Sequence, residues 1–104
     1  MSILSDNLRY LRAQKNYSQL QVANELLIGR GRYAKYEDAK SEPPLYLMQR
    51  ISFFFKVSID LLIAVDLIDV PEEERRLQFM DTLKKYPKIS LPHIAACATE
   101  EVAL

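Results

Sequence analysis

Apolar residues recur every three or four positions along most of this chain, and short polar segments break the recurrence into brief helical units. Leu4, Leu8 and Leu11 form one stripe. They predict a first helix from about Ser5 or Asp6 to Lys15, with Ser5 as its cap and Asp6 at its positive end. Arg9, Arg12 and Lys15 lie off that stripe, facing solvent or a partner. Asn16-Tyr17 is a turn. Ser18 caps a second helix, and Gln21 stands at the capping-box spacing. Val22, Ala23 and Leu26 face inward, with Ala23 small enough for two helices to cross closely. Leu27, Ile28 and Gly29 make the next turn. A third helix runs from about Arg30 to Asp38. It places Tyr33 and Tyr36 inward and leaves Arg30, Gly31, Arg32, Ala34 and Lys35 on the other surface.

The polar stretch from Asp38 to Pro44 ends in a double proline, which no helix crosses. A fourth helix follows, from about Pro44 or Leu45 to Phe55, with Leu47, Met48, Ile51 and Phe54 or Phe55 buried. Ser58 caps a fifth, Ile59 to about Val65, with Leu61 and Leu62 inward. These five helices form one unit over residues 1–65. Residues 66–104 are a C-terminal helical extension. Asp69 and Pro71 open a sixth helix, and Glu72, Glu73 and Glu74 suit its first turn. Leu77, Met80 and Leu83 share a face with Phe79 beside it, and Pro87 stops the helix. Ser90 to Leu104 has weak helical character. Phe53, Phe54 and Phe55 cannot all be buried on one helix face, so at least one ring covers a partner or the C-terminal segment, or is simply partly exposed.

Composition sharpens this all-α reading. No apolar run approaches the roughly 18 residues of a membrane span, and the N-terminus lacks the pattern of a secretory signal. A single cysteine, Cys97, allows no intrachain disulfide, and the expected home is a reducing cytoplasm. With one histidine, His93, and one cysteine, no structural zinc site is expected. No phosphate-binding glycine loop and no nucleophile–base arrangement stands out, so neither an enzyme nor a cofactor is expected. The net charge is zero but unevenly spread. Residues 1–65 hold nine Lys/Arg against six Asp/Glu, a balance of +3, and residues 66–104 hold five against eight, a balance of −3.

The stretch Ser18 to Glu37 therefore has the layout of two short helices joined by a tight turn, the second opening with basic side chains. A helix of that size fits the major groove of B-DNA. In order and spacing, five segments resemble the Cro/C1-type (XRE-like) helix-turn-helix of phage repressors and bacterial regulators. They are N-L-R-Y-L-R at 7–12, S-Q-x-x-V-A at 18–23, Y-E at 36–37, E-P at 42–43 and V-S-I-D-L-L at 57–62. The resemblance covers residues 6–65 and implies a five-helix lambda-repressor-like domain. It also implies DNA contacts. Gln19 would meet the backbone or a base. Arg30, Gly31 and Lys35 would meet bases, and Arg32 and Lys40 phosphates. Tyr36-Glu37 would be structural, with the Glu bonded inside the domain.

Three departures from that pattern matter. Leu27 stands where the turn between the helices often has Gly, so it must tolerate an unfavourable backbone or the turn must differ slightly, and Ala39 stands where a Gly often follows the third helix. Gly29 replaces the usual Ser/Thr cap of the third helix. Gly31 inside a helix costs about 1 kcal/mol relative to Ala. It has no side chain to read a base, so close approach to the groove is its expected use, with Arg30 reading guanine. Bland alternatives stand beside these roles. Arg30 reads guanine or is a solvated surface arginine, Arg32 and Lys35 are phosphate contacts or solubility charges, and Gln19 is a DNA contact or merely polar. Arg9 and Arg12 read as a solvated face, and Tyr33 and Tyr36 as core.

The expected function is sequence-specific binding of double-stranded DNA as a bacterial or phage transcriptional regulator, a repressor. It would act as a homodimer on a pseudo-palindromic operator, with 66–104 as the candidate dimer element. The alternative is an antitoxin-like regulator or protein-interaction module whose C-terminal segment binds a partner protein.

Overall fold

The first helix begins earlier than its apolar stripe suggests. The computed structural model describes residues 2–85, and in it α1 spans Ile3–Gln14 with Ser2, not Ser5, as its cap. Ser2 Oγ accepts from the Ser5 backbone N–H at 3.0 Å, and Ser5 Oγ accepts from the Ser2 N–H at 2.9 Å. Both serines are thus used, and the reciprocal pair satisfies two N–H groups that helix geometry leaves over. Then follow α2 (Gln19–Glu25), α3 (Arg30–Glu37), α4 (Leu45–Phe55) and α5 (Ile59–Ala64). A 3-10 turn (Leu67–Asp69) leads into α6 (Glu72–Lys85). Helix is the only regular structure among the described residues. Ser18 and Gln21 cap α2 reciprocally, and Ser58 caps α5.

The first four helices end alike, and without glycine. Asn16, Leu27, Ala39 and Lys56 follow their last turns with φ between 55° and 62°. In each of the first three, two backbone N–H groups fold back onto the helix. Tyr17 and Asn16 bond the carbonyls of Arg12 and Ala13, Ile28 and Leu27 those of Ala23 and Asn24, and Lys40 and Ala39 those of Lys35 and Tyr36. This closure satisfies end carbonyls but calls for a left-handed residue, which costs a non-glycine roughly 1 kcal/mol. Leu27 therefore does adopt the unfavourable backbone expected of it, and Ala39 adopts it as well.

The core joins Leu8 and Leu11 of α1, Val22, Ala23 and Leu26 around α2, Tyr33 and Tyr36 of α3, and Leu47, Ile51 and Phe55 of α4. Val57, Leu62 and Leu67 complete it. Leu67, fully buried, carries the core just past the fifth helix. Asn7, 2% exposed, ties that end together. Its amide nitrogen donates to the carbonyls of Leu62 and Val65, each at 2.8 Å, and its oxygen accepts from the Leu67 N–H at 3.0 Å.

Helix α6 docks on the domain through part of its expected apolar side, with Phe79 buried and Met80 and Leu83 half-buried, together with Arg75. Leu77 is 58% exposed, whereas Arg75 and Phe79 are buried. Phe79 meets Phe53 edge-on, the ring centroids 5.3 Å apart, so Phe53 is the ring that covers the C-terminal segment. Arg75 donates to Gln14 Oε1 at 2.8 Å and lies over the Tyr10 ring, and Lys15 pairs with Glu72 at 3.1 Å. These polar groups of α1 select the docking face, and spacing of leucines alone does not reveal them. The expected stop at Pro87, the helical tail from Ser90, His93 and Cys97 lie outside the described residues.

Candidate nucleic-acid interface

The attitude of α3 is set by one buried carboxylate. Glu37, 1% exposed, receives Arg12 Nε at 2.6 Å and Nη2 at 3.0 Å, and Gln19 Nε2 at 3.1 Å. Arg12 Nη1 also donates to the Tyr17 carbonyl at 3.0 Å. Helices α1, α2 and α3 thus meet at one charge. Burial by itself would raise the Glu37 carboxyl, but the hydrogen bonds led by Arg12 outweigh it and hold its pKa below the usual carboxylate range. The buried Tyr33 hydroxyl beside it reaches no hydrogen-bond geometry. Burial first, and then the neighbouring carboxylate, push its pKa up. Arg12 is therefore an internal strut and not part of a solvated face, a correction to the sequence reading. Glu37 does bond inside the domain, as the resemblance implied.

This strut turns Tyr33 and Tyr36 into the core, so the rest of α3 faces outward. Arg30, Gly31, Arg32 and Lys35 are all exposed, and so is Lys40 just beyond the helix. Arg30 is the first residue of α3, after Gly29, which caps the helix without a side-chain bond. Among the described residues no hydrogen bond or ion pair engages Arg30, Lys35 or Lys40 by its side chain. Gly31 needs no glycine-only backbone, and a methyl group placed there meets nothing within 4 Å. Its lack of a side chain therefore serves nothing inside the domain. Lys40 is placed by its own N–H, which closes the end of α3 on the Lys35 carbonyl at 2.9 Å.

Two candidates are more engaged than the sequence suggests. Gln19 is half-buried and one of its amide hydrogens is committed to Glu37, which leaves the second hydrogen on the same nitrogen to donate outward. Arg32 donates Nε to the Tyr36 hydroxyl at 2.8 Å and Nη2 to the Tyr46 hydroxyl at 3.0 Å. Tyr46 and Arg50 of α4 thereby join the edge of the surface, and nothing in their local spacing announces it. Among the described residues no three His, Cys, Asp or Glu side chains converge as a metal site, and no helix is long and apolar enough to cross a membrane.

Known proteins of the same pattern are regulators by name. The chain is 38% identical over 73 residues to the HTH-type transcriptional activator BcrR of Enterococcus faecalis, covering 69% of this chain and 36% of that protein. It is 26% identical over 90 residues to the cryptic phage CTXphi transcriptional repressor RstR of Vibrio cholerae, covering 86% and 81%. It is also 38% identical over 61 residues to the SPbeta prophage-derived uncharacterized HTH-type transcriptional regulator YonR of Bacillus subtilis, covering 59% and 56%. The chain thus spans about a third of the length of BcrR and about half that of YonR. No solved structure matches it. The helix-turn-helix family pattern fits residues 8–62, which run from Leu8 of α1 to Leu62 of α5 and take in the strut, the α2–α3 turn and the exposed face of α3. By that match and by its helix order the chain belongs to the Cro/C1-type helix-turn-helix family.

Proposed function

We propose that this protein is a transcriptional regulator that binds double-stranded DNA in a sequence-specific way, with α3 in the major groove. One observation carries the reading. The buried Arg12–Glu37–Gln19 cluster aims a face of α3 outward on which Arg30, Gly31 and Lys35 have no internal task. Arg30 reads guanine, Gly31 permits close approach, and Lys35 reaches a base or a phosphate. Arg32, Lys40 and the second amide hydrogen of Gln19 meet the backbone. RstR, which this chain matches over most of its length, is named a repressor, and that favours repression over activation. A module this small works in pairs, so the protein acts as a homodimer on half-sites one helical turn apart, with 66–104 contributing to the dimer. Its site of action is the cytoplasm, where a bacterial or phage genome lies.

Selection from a random duplex pool, followed by anisotropy titration of Arg30→Ala on the recovered sequence, tests this. An inverted repeat containing guanine, with preference relaxed in the variant, supports the reading. Equal loss of affinity on every sequence refutes base reading by Arg30. A second reading is an antitoxin-like regulator with a protein partner on the C-terminal segment. It is favoured by Ile68 and Leu77, which stay 71% and 58% exposed on the described part of that segment. Co-purification of a basic protein that is lost on deletion of 66–104 would select it.

A further inference from the structure

We infer that Tyr46 is a positioning residue for DNA binding, its hydroxyl holding Arg32 at the edge of α3 in the attitude that meets a backbone phosphate. The inference rests on the proposed DNA-binding function. The kind of partner Arg32 has is what carries it. Arg9, Arg12 and Lys15 each pair with a carboxylate, of Asp6, Glu37 and Glu72, and Arg50 and Arg75 donate to neutral oxygens off the exposed face of α3. Arg32 is held instead by two neutral phenol oxygens, one from its own helix and one from α4. Two of its five N–H donors are used, its direction is fixed, and its charge is not cancelled. A free arginine loses rotamer freedom when it meets a phosphate, whereas one already held loses less.

Tyr46 is itself held. It lies in the first turn of α4, whose start is set by Pro43-Pro44. The Arg50 guanidinium, one helical turn on, sits over its ring with the carbon 5.3 Å from the centroid. Arg50 Nη1 donates to the Leu26 carbonyl at 3.0 Å, at the end of α2. A line of contacts therefore runs from the α2–α3 turn through Arg50 and Tyr46 to Arg32. It also brings a second cation to the same edge, which deepens the positive potential there.

A double-mutant cycle on the full chain tests this. Tyr46→Phe removes the hydroxyl but keeps the ring under Arg50, and Arg32→Ala removes the contact. Anisotropy with a labelled duplex of mixed sequence suffices, because phosphate contacts do not depend on sequence. Titrations at several salt concentrations give affinity and slope, and circular dichroism confirms that each variant is folded. Arg32→Ala should reduce the salt slope by about 0.9. Tyr46→Phe should weaken binding roughly two- to tenfold with the slope unchanged, since the charge remains and only its placement is lost. In the Arg32→Ala background Tyr46→Phe should then do nothing further. An equal loss in both backgrounds, or none in either, overturns the inference while leaving DNA binding intact. A parent chain that binds no duplex overturns the DNA-binding function, and the inference falls with it.

Discussion

Replacing Arg12 by Met should be far more damaging than replacing its partner Glu37 by Gln. Glu37 is 1% exposed, whereas the Arg12 side chain is 24% exposed and keeps a bond to the Tyr17 carbonyl. Without Arg12 the carboxylate retains Gln19 alone. Breaking one side of a buried pair costs about 3–5 kcal/mol. The remaining Gln19 bond, and a proton that Glu37 can take up, place this case near about 3 kcal/mol. For a domain of this size that lowers Tm by roughly 12–24 °C. In Glu37→Gln the freed guanidinium can turn to water and the amide still accepts from it, so the loss is about 1.5 kcal/mol.

Thermal and urea unfolding followed by circular dichroism give both values, and pH separates them further. In the parent chain the Glu37 pKa is depressed in the folded state. Its contribution is fully present above the unfolded value of about 4.3 and is lost as pH falls through the lower folded value. Without Arg12, burial dominates and the folded pKa rises above the unfolded one. The same group then favours folding at low pH, and that contribution is lost as pH rises through the folded value. Two results would refute the reasoning. One is a Glu37→Gln loss as large as that of Arg12→Met. The other is an acid response in Arg12→Met identical to that of the parent.

Three further changes probe other parts of the argument. Gly31→Ala should stabilise the fold by about 1 kcal/mol, because helix propensity improves and the added methyl meets nothing. It should also weaken DNA binding, and unchanged affinity would remove the close-approach role. Asn7→Leu orphans the carbonyls of Leu62 and Val65 and the N–H of Leu67. At about 1–3 kcal/mol for each orphaned group, the total loss is at least about 3 kcal/mol. Hydrogen exchange at the Leu67 amide should accelerate before the rest of the fold, and unaltered protection there would contradict the clasp. Leu27→Gly should gain up to about 1 kcal/mol in urea unfolding, since Leu27 is 63% exposed at φ 62° and gives up left-handed strain with little burial. A loss of stability would mean that its side chain contributes more than its backbone strains.

What could be read from the chain by itself is what neighbours in sequence decide. The reciprocal cap of Ser18 and Gln21, the stripes of Leu8 with Leu11 and of Tyr33 with Tyr36, the stop at the double proline and the cap of Ser58 are local matters. Spacing and propensity announce them. The strained turn at Leu27 is legible as a departure from the family pattern, Ala39 is legible only as a missing glycine, and left-handed closure is the outcome at both. The start of α1 was less legible, because Ser2 and Ser5 are both good caps and only their reciprocity places the first turn.

The tertiary structure decided what each polar side chain meets. Helical period says which face a residue shares, but not what stands opposite it. Arg12 looked like part of a solvated face until Glu37, far along the chain, came to lie against it. Arg75 and Phe79, not Leu77, became the buried side of α6 because Gln14, Tyr10 and Phe53 form its bed. Arg32 was readable as a surface cation, yet its two phenol partners come from a helix turn and from across a loop, and only folding brings Tyr46 to it. The sequence determined the helices and the identity of the exposed cations, because those follow from local spacing. The packing of distant segments determined which charges are struts and which remain available to an anion.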